Sequence, residues 1–247
     1  MQKTLFKNLV AVLVVLGFLT PIARAQMPAA GSDKNFCSKI AELRTDVDRK
    51  LGDRMGMMET RRKDRNAEIK TRRDDRSERL TAHRSSRETN LAEHFEKLDE
   101  RADTDAKRQA VAAFRSAIES ARAIRHAAID AAIETFRAET DAILADRKTS
   151  VDRTASTFQE GTRAALERAR TSCASSGADG SAIRTALRAD LRTAKDRLKT
   201  DRDALEKRRD EMKPLIERRK QAIDRAITDF KTAMSAATAD LKAVLGE

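Results

Sequence analysis

The chain has 247 residues, of which 37% are charged, a formal net charge of +11, eight Phe as its only aromatic residues besides three His, and three Pro. A compact core of this length normally recruits Trp and Tyr, and single-strand nucleic-acid platforms stack bases on aromatic rings, so neither architecture fits. Many charges, abundant Ala, Arg, Asp and Leu and almost no helix breakers point to long helices, while the basic balance favours anionic partners without implying a reaction.

Residues 1–25 read MQKTLFKNLVAVLVVLGFLTPIARA: a lysine-bearing start, an apolar run from Leu9 to Leu19, a break at Pro21 and then Ala23-Arg24-Ala25. This is the pattern of a secretory signal peptide cleaved before Gln26, and the run is short for a bilayer span of about 20 residues. Cleavage would remove Lys3, Lys7 and Arg24, leaving +8 (11 − 3) on 222 residues (247 − 25) in a periplasmic or extracellular setting. Membrane contact is then expected only through the leader. Residues 26–34 read as a flexible N-terminal segment.

From Phe36 the large apolar residues count by eleven: Phe36, Val47, Met58, Ile69, Leu80 and Leu91. Eleven residues make three turns at about 3.67 residues per turn, so the stripe runs nearly straight along one long helix. Asp103, Thr104 and Asp105 are turn and N-cap residues and place a turn at 102–105. A second pattern then runs from Val111 through Phe114, Ile118, Ile129, Ile133, Phe136, Val151 and Phe158 to Leu166, ending in the Ser- and Gly-rich loop 173–181.

If the two helices pack antiparallel about this turn, facing residues have numbers adding to about 209. Phe95 with Phe114, Leu98 with Val111, Leu91 with Ile118, Leu80 with Ile129, Met58 with Val151 and Leu51 with Phe158 all obey this, and Ile69 and Val47 would face Thr140 and Thr162. The only cysteines, Cys37 and Cys173, miss it by one. This hairpin over 35–172 therefore brings them together at its open end, the setting of a structural disulfide in an exported chain.

A third helix is expected over 182–247. Ile183, Ala194, Leu205, Ile216 and Ile227 form one eleven-residue series, and Met212, Ile223, Met234 and Leu245 another. Pro214 should kink it without breaking the stripe. Each of the three helices would be roughly 100 Å long at about 1.5 Å per residue. The expected fold is all-α: an elongated antiparallel helical hairpin plus a third long helix, forming a coiled-coil-like three-helix bundle with eleven-residue periodicity.

In the middle of the first helix, two stripes that begin as Ile40 and Leu43 continue as arginine. Residues 59–88 hold eleven basic and seven acidic residues. Arg62, Arg65, Arg73, Arg76, Arg84 and Arg87 form a candidate polyanion strip, set against the plainer alternative of a solvated face whose arginine stems cover a thin core. His83 and His126 also add to 209, but two imidazoles do not make a zinc site, and His94 lies three turns from His83, so no metal is expected. Gly52 and Gly56 in the first helix, beside Leu51, and Gly161 in the second, near Phe158, are candidates for letting two helices approach closely, with a local hinge as the alternative. No phosphate loop, HExxH pair or nucleophile elbow is present, so no cofactor, small-molecule substrate or enzymatic activity is expected.

At the level of architecture alone, an exported, basic, all-helical chain with long arms is similar to the seventeen-kilodalton periplasmic chaperones that hold unfolded outer-membrane proteins. It departs from them in having a third long helix and no β-rich segment for a trimeric body. The first expectation is a non-catalytic coiled-coil structural or binding protein of the bacterial cell envelope, with a protein partner or self-association. An ATP-independent holdase-like chaperone is the second, with Met212, Ile216, Ile223 and Met234 as a client-binding stripe. A binder of anionic polymers, nucleic acid or acidic envelope polymers, is the third.

Overall fold

The structure, a computed structural model, describes residues 36–246, the side chain of Arg209 excepted. The expected leader and the segment 26–34 lie outside the described residues. Helix α1 spans Phe36–Arg101, α2 Asp105–Cys173, α3 Gly180–Lys207 and α4 Met212–Leu245, with a four-residue 3-10 turn, Arg208–Glu211, between the last two. Local chemistry sets these limits. Thr104 caps α2, its Oγ1 accepting from the Lys107 N–H at 3.3 Å, and Asp105 places negative charge in the first turn. Asp179 caps α3 by accepting from the Ser181 N–H at 2.9 Å, so α3 begins slightly before the expected residue 182. In the loop before it, Gly177 adopts φ +78, a conformation that favours glycine.

The chain divides into two compact units that share α1 and α2: residues 36–61 with Ile143–Glu211, and Arg62–Ala142 with residues 212–246. Each is an all-α bundle of three helical segments.

In the first unit the early part of α1, the late part of α2 and α3 enclose Phe36, Ile40, Ala165, Leu166, Ala169 and Leu187. Leu166 and Leu187 are almost fully buried. Contacts between α1 and α2 descend one helix as they ascend the other: Cys37 with Cys173, Arg44 with Glu167 and Asp48 with Arg163. Helix α3 is antiparallel to α2 by the same test, Arg168 meeting Asp190 and Asp146 meeting Arg208. A Cβ placed on Gly161 would lie 3.3 Å from the Ala194 Cβ, so this glycine lets α2 and α3 approach closely. Gly52 and Gly56, expected to serve such an approach, do not: a Cβ on either would meet nothing within 4 Å.

In the second unit Phe95, Val111, Phe114, Ile118, Ala237 and Leu241 form the core near the α1–α2 turn, with Leu91, Leu98 and Met234 packed against it. Phe95 and Phe114 meet edge to face, 6.0 Å between centroids. Three facing pairs expected from the hairpin arithmetic, those of Phe95, Leu98 and Leu91 with their partners, thus lie in one cluster.

The third helix departs from its simple pattern at the 3-10 turn. Leu187, Leu198 and Leu205 are buried on α3, and eleven residues beyond Leu205 the stripe should reach Ile216 and then Ile227. The buried residues of α4 are instead Leu215, Ala226 and Ala237, each one position earlier, and Ile227 is exposed. A 3-10 residue advances about 120° around the axis and an α residue about 100°, so four of them add roughly 80°, close to one residue's step. Pro214 is the reason for the interruption, and it falls in the first turn of α4, where no backbone donor is required. Arg208 fastens the turn through Asp146 and Glu211.

Two stability measurements follow. Leu215→Ala should cost about 2–4 kcal/mol in urea unfolding and Ile227→Ala under about 1 kcal/mol, the reverse of what an uninterrupted stripe requires. Gly52→Ala and Gly56→Ala, in exposed helix interior with open space for a methyl group, should each stabilise by roughly 0.5–1 kcal/mol in the same assay.

Candidate functional site

In the second unit, beyond the phenylalanine core, α1 and α2 are joined by forked arginine–aspartate pairs. On α1 the eleven-residue series through Phe95 places arginine at 84 and 73, and the facing residues of α2 are Asp130 and Asp141. Arg84 donates through both terminal nitrogens to Asp130, at 2.9 and 2.7 Å, and Arg73 does the same to Asp141, at 2.9 and 2.7 Å. Both arginine side chains are about three-quarters buried, whereas the aspartate side chains are about half exposed. The forked geometry matches a planar guanidinium to a planar carboxylate, and the arginine stems fill the seam that apolar side chains fill elsewhere. The guanidinium hydrogen bonds hold the Asp130 and Asp141 carboxyls below their ordinary range, against an opposing effect of burial.

A second arrangement joins α2 to α4. The Arg125 guanidinium lies 4.1 Å from the centroid of the Phe230 ring, and that of Arg219 lies 4.3 Å from the centroid of Phe136. Arg125 and Phe136 are eleven residues apart on α2, as are Arg219 and Phe230 on α4, so the two helices exchange arginine for phenylalanine over three turns. Cation–π contact of this kind contributes about 0.5–2 kcal/mol and partly offsets the cost of covering the charge. Burial first, and then the like charges of Arg87, Arg122 and Arg84, hold Arg125 below the usual arginine value. Burial, and then Arg76, do the same for Arg219.

His126 sits within the first of these layers, its Nε2 3.2 Å from Arg125 Nη2. Burial, followed by Arg84, Arg125 and Arg122, pushes its pKa down, with Asp130 alone acting in the opposite sense. The neutral ring therefore accepts at Nε2 from the guanidinium. The anticipated partner His83 is exposed, and His94 lies beside the Phe95 ring. Among the described residues no group of three His, Cys, Asp or Glu is placed to hold a metal ion.

The six arginines of the sequence strip thus separate. Arg73 and Arg84 are committed to aspartates. Arg76 and Arg87 are exposed and add positive charge near Arg219 and Arg125. Arg62 and Arg65 are half-buried and engaged in interactions of their own. Arg122, Arg125 and Arg219, together with Phe136 and Phe230, belong to the site although inspection of α1 alone did not reveal them. The eleven-residue Arg-to-Phe spacing on α2 and α4 is the signal that finds them.

The other candidate residues are packed. Met234 lies against the phenylalanine cluster, and Met212, Ile216 and Ile223 are half-buried. In the first unit a shallow cleft of about 180 Å³ opens beside Thr154, Phe158, Gly161, Asp190 and Ala194, small against ligand pockets of about 300–1,000 Å³. No described helix is long and apolar enough to cross a membrane. No family model, curated protein or solved structure matches the chain.

The paired aspartates set a pH dependence. Their folded pKa values are lowered, so their contribution is complete above the unfolded value of about 3.9 and is lost as pH falls through the folded values. Urea stability measured from pH 6 down to pH 2 should fall below about pH 4, and Asp130→Asn with Asp141→Asn should flatten that fall while costing under about 2 kcal/mol at pH 6.

Proposed function

We propose that the chain is an exported, non-catalytic helical-bundle protein of the bacterial cell envelope, a structural or binding component that works in an oxidising compartment. The disulfide carries this reading. Cys37 and Cys173 are bonded across 136 residues of chain, with their Cα atoms 5.5 Å apart, and the described residues contain no free cysteine. The bond ties the first turn of α1 to the last of α2, where helix ends otherwise fray, and it borders the Phe36–Leu166–Leu187 cluster. A chain that depends on such a clamp is suited to a compartment where thiols oxidise, which agrees with the leader-like residues 1–25.

The packing of α4 bears on the alternatives. A holdase that lends the stripe Met212, Ile216, Ile223 and Met234 to unfolded clients must first remove Met234 from the Phe95–Phe114 cluster. That cost falls before any client is bound. The structural or binding role requires no such step.

Peptide mapping without reductant tests the reading directly. Protein taken from an oxidising compartment should yield one linked pair of peptides containing Cys37 and Cys173 and lack residues 1–25. Free thiols, or an intact leader on cytoplasmic protein, contradict it. Reduction should lower stability by up to about 5 kcal/mol, the chain-entropy value for so long a loop, with the mature protein remaining helical by circular dichroism.

A further inference from the structure

The layer around Arg125 holds more positive charge than the protein neutralises. Arg84, Arg87 and Arg122 act on Arg125, and Arg84, Arg122 and Arg125 on His126, while the Asp130 carboxylate that opposes them at His126 is already held in a forked pair by Arg84. Among the described residues neither Arg87, Arg122 nor Arg125 forms an ion pair within 4.0 Å. Arg125 is also fixed in place. Its guanidinium lies over Phe230 and donates to His126, so its plane is set while it remains without a carboxylate. Arg84 and Arg87 lie one turn apart on α1, Arg122 and Arg125 one turn apart on α2, and the Arg84–Asp130 fork sets these turns against each other, with Arg125 and Arg122 half-buried and Arg87 exposed.

We propose that this cluster is a binding site for a multivalent oxyanion of phosphate type, held by Arg87, Arg122 and Arg125. Arg84 and Asp130 form the wall of the site, and His126 lies at its edge. A tetrahedral oxyanion accepts several guanidinium hydrogen bonds at once and supplies the negative charge that the fold omits. The phosphate is free or borne on a polymer, since both present the same group. Binding relieves the repulsion among the arginines, and a ligand that binds only the folded site stabilises the second unit when it is filled.

The full mature chain, with its disulfide intact, is titrated with inorganic phosphate and, separately, with long-chain polyphosphate. Chloride holds ionic strength constant. The His126 ring resonances, identified by their loss in His126→Gln, should shift saturably, and the thermal midpoint should rise. The variant Arg87→Gln with Arg122→Gln should lose at least tenfold in affinity and most of the thermal shift. Without ligand and at low ionic strength it should melt at or above the parent temperature, because a repulsion has been relieved, and this separates lost binding from lost folding. The control Lys97→Gln with Lys242→Gln removes equal charge from exposed positions of the same unit and should leave affinity within about twofold. Saturation by phosphate marks a small-anion site, and saturation by polyphosphate alone marks a polymer-borne group. No saturable shift with either, or equal loss in the arginine and lysine variants, overturns the proposal.

Discussion

Three turns of α-helix take up almost eleven residues, and this numerical constraint governs nearly everything in the chain. A side chain recurring at that interval returns to the same side of its helix, so each seam can run far along two helices without drifting. The same interval spaces Ile40, Leu51, Arg62, Arg73, Arg84 and Phe95 on α1, Asp130 and Asp141 on α2, and Leu215, Ala226 and Ala237 on α4. Apolar burial and ion pairing use one lattice. A position that holds leucine in one layer holds arginine in another, provided the facing helix changes its residue to match.

The two kinds of layer do different physical work. Phe95, Val111, Phe114 and Ile118 remove apolar surface from water and stabilise their end of the second unit strongly. Arginine–aspartate pairs whose carboxylates are half exposed add little net stability, since their Coulomb attraction is opposed by desolvation and side-chain ordering. What they contribute is register. A forked pair tolerates little sliding, and a one-residue slip would leave both partners half-buried without a counter-charge. Arginine stems also cover the seam with methylene groups, which lets a bundle be built from a chain with so little bulky apolar material.

The helices, the hairpin turn and the disulfide were legible in the sequence because they depend on spacing alone: Thr104 as cap, Cys37 and Cys173 at matching distances from the turn, and apolar residues at fixed sums. The phase change in the third helix was not. Ile216 and Ile227 continue the series perfectly in one dimension, but Pro214 induces a 3-10 turn whose extra rotation presents Leu215 and Ala226 instead, and rotation per residue is invisible to a count of positions. The arginine strip was half legible. Its residues were evident on α1, yet whether an arginine was satisfied depended on which helix lay opposite, Asp130 for Arg84 and Phe230 for Arg125, and these assignments needed the packing of α2 and α4.

The claim that ion pairs on this lattice set the register is tested most directly by charge exchange at one layer. Arg84→Asp and Asp130→Arg are made singly and together, and a third protein combines Arg84→Asp with Asp141→Arg. Chemical unfolding at low ionic strength should show each single reversal destabilising and the Arg84/Asp130 exchange recovering most of the loss, whereas the Asp141 combination, one repeat away, recovers none. Equal recovery from both combinations would show that only overall charge matters, and no recovery from either would contradict the seam itself.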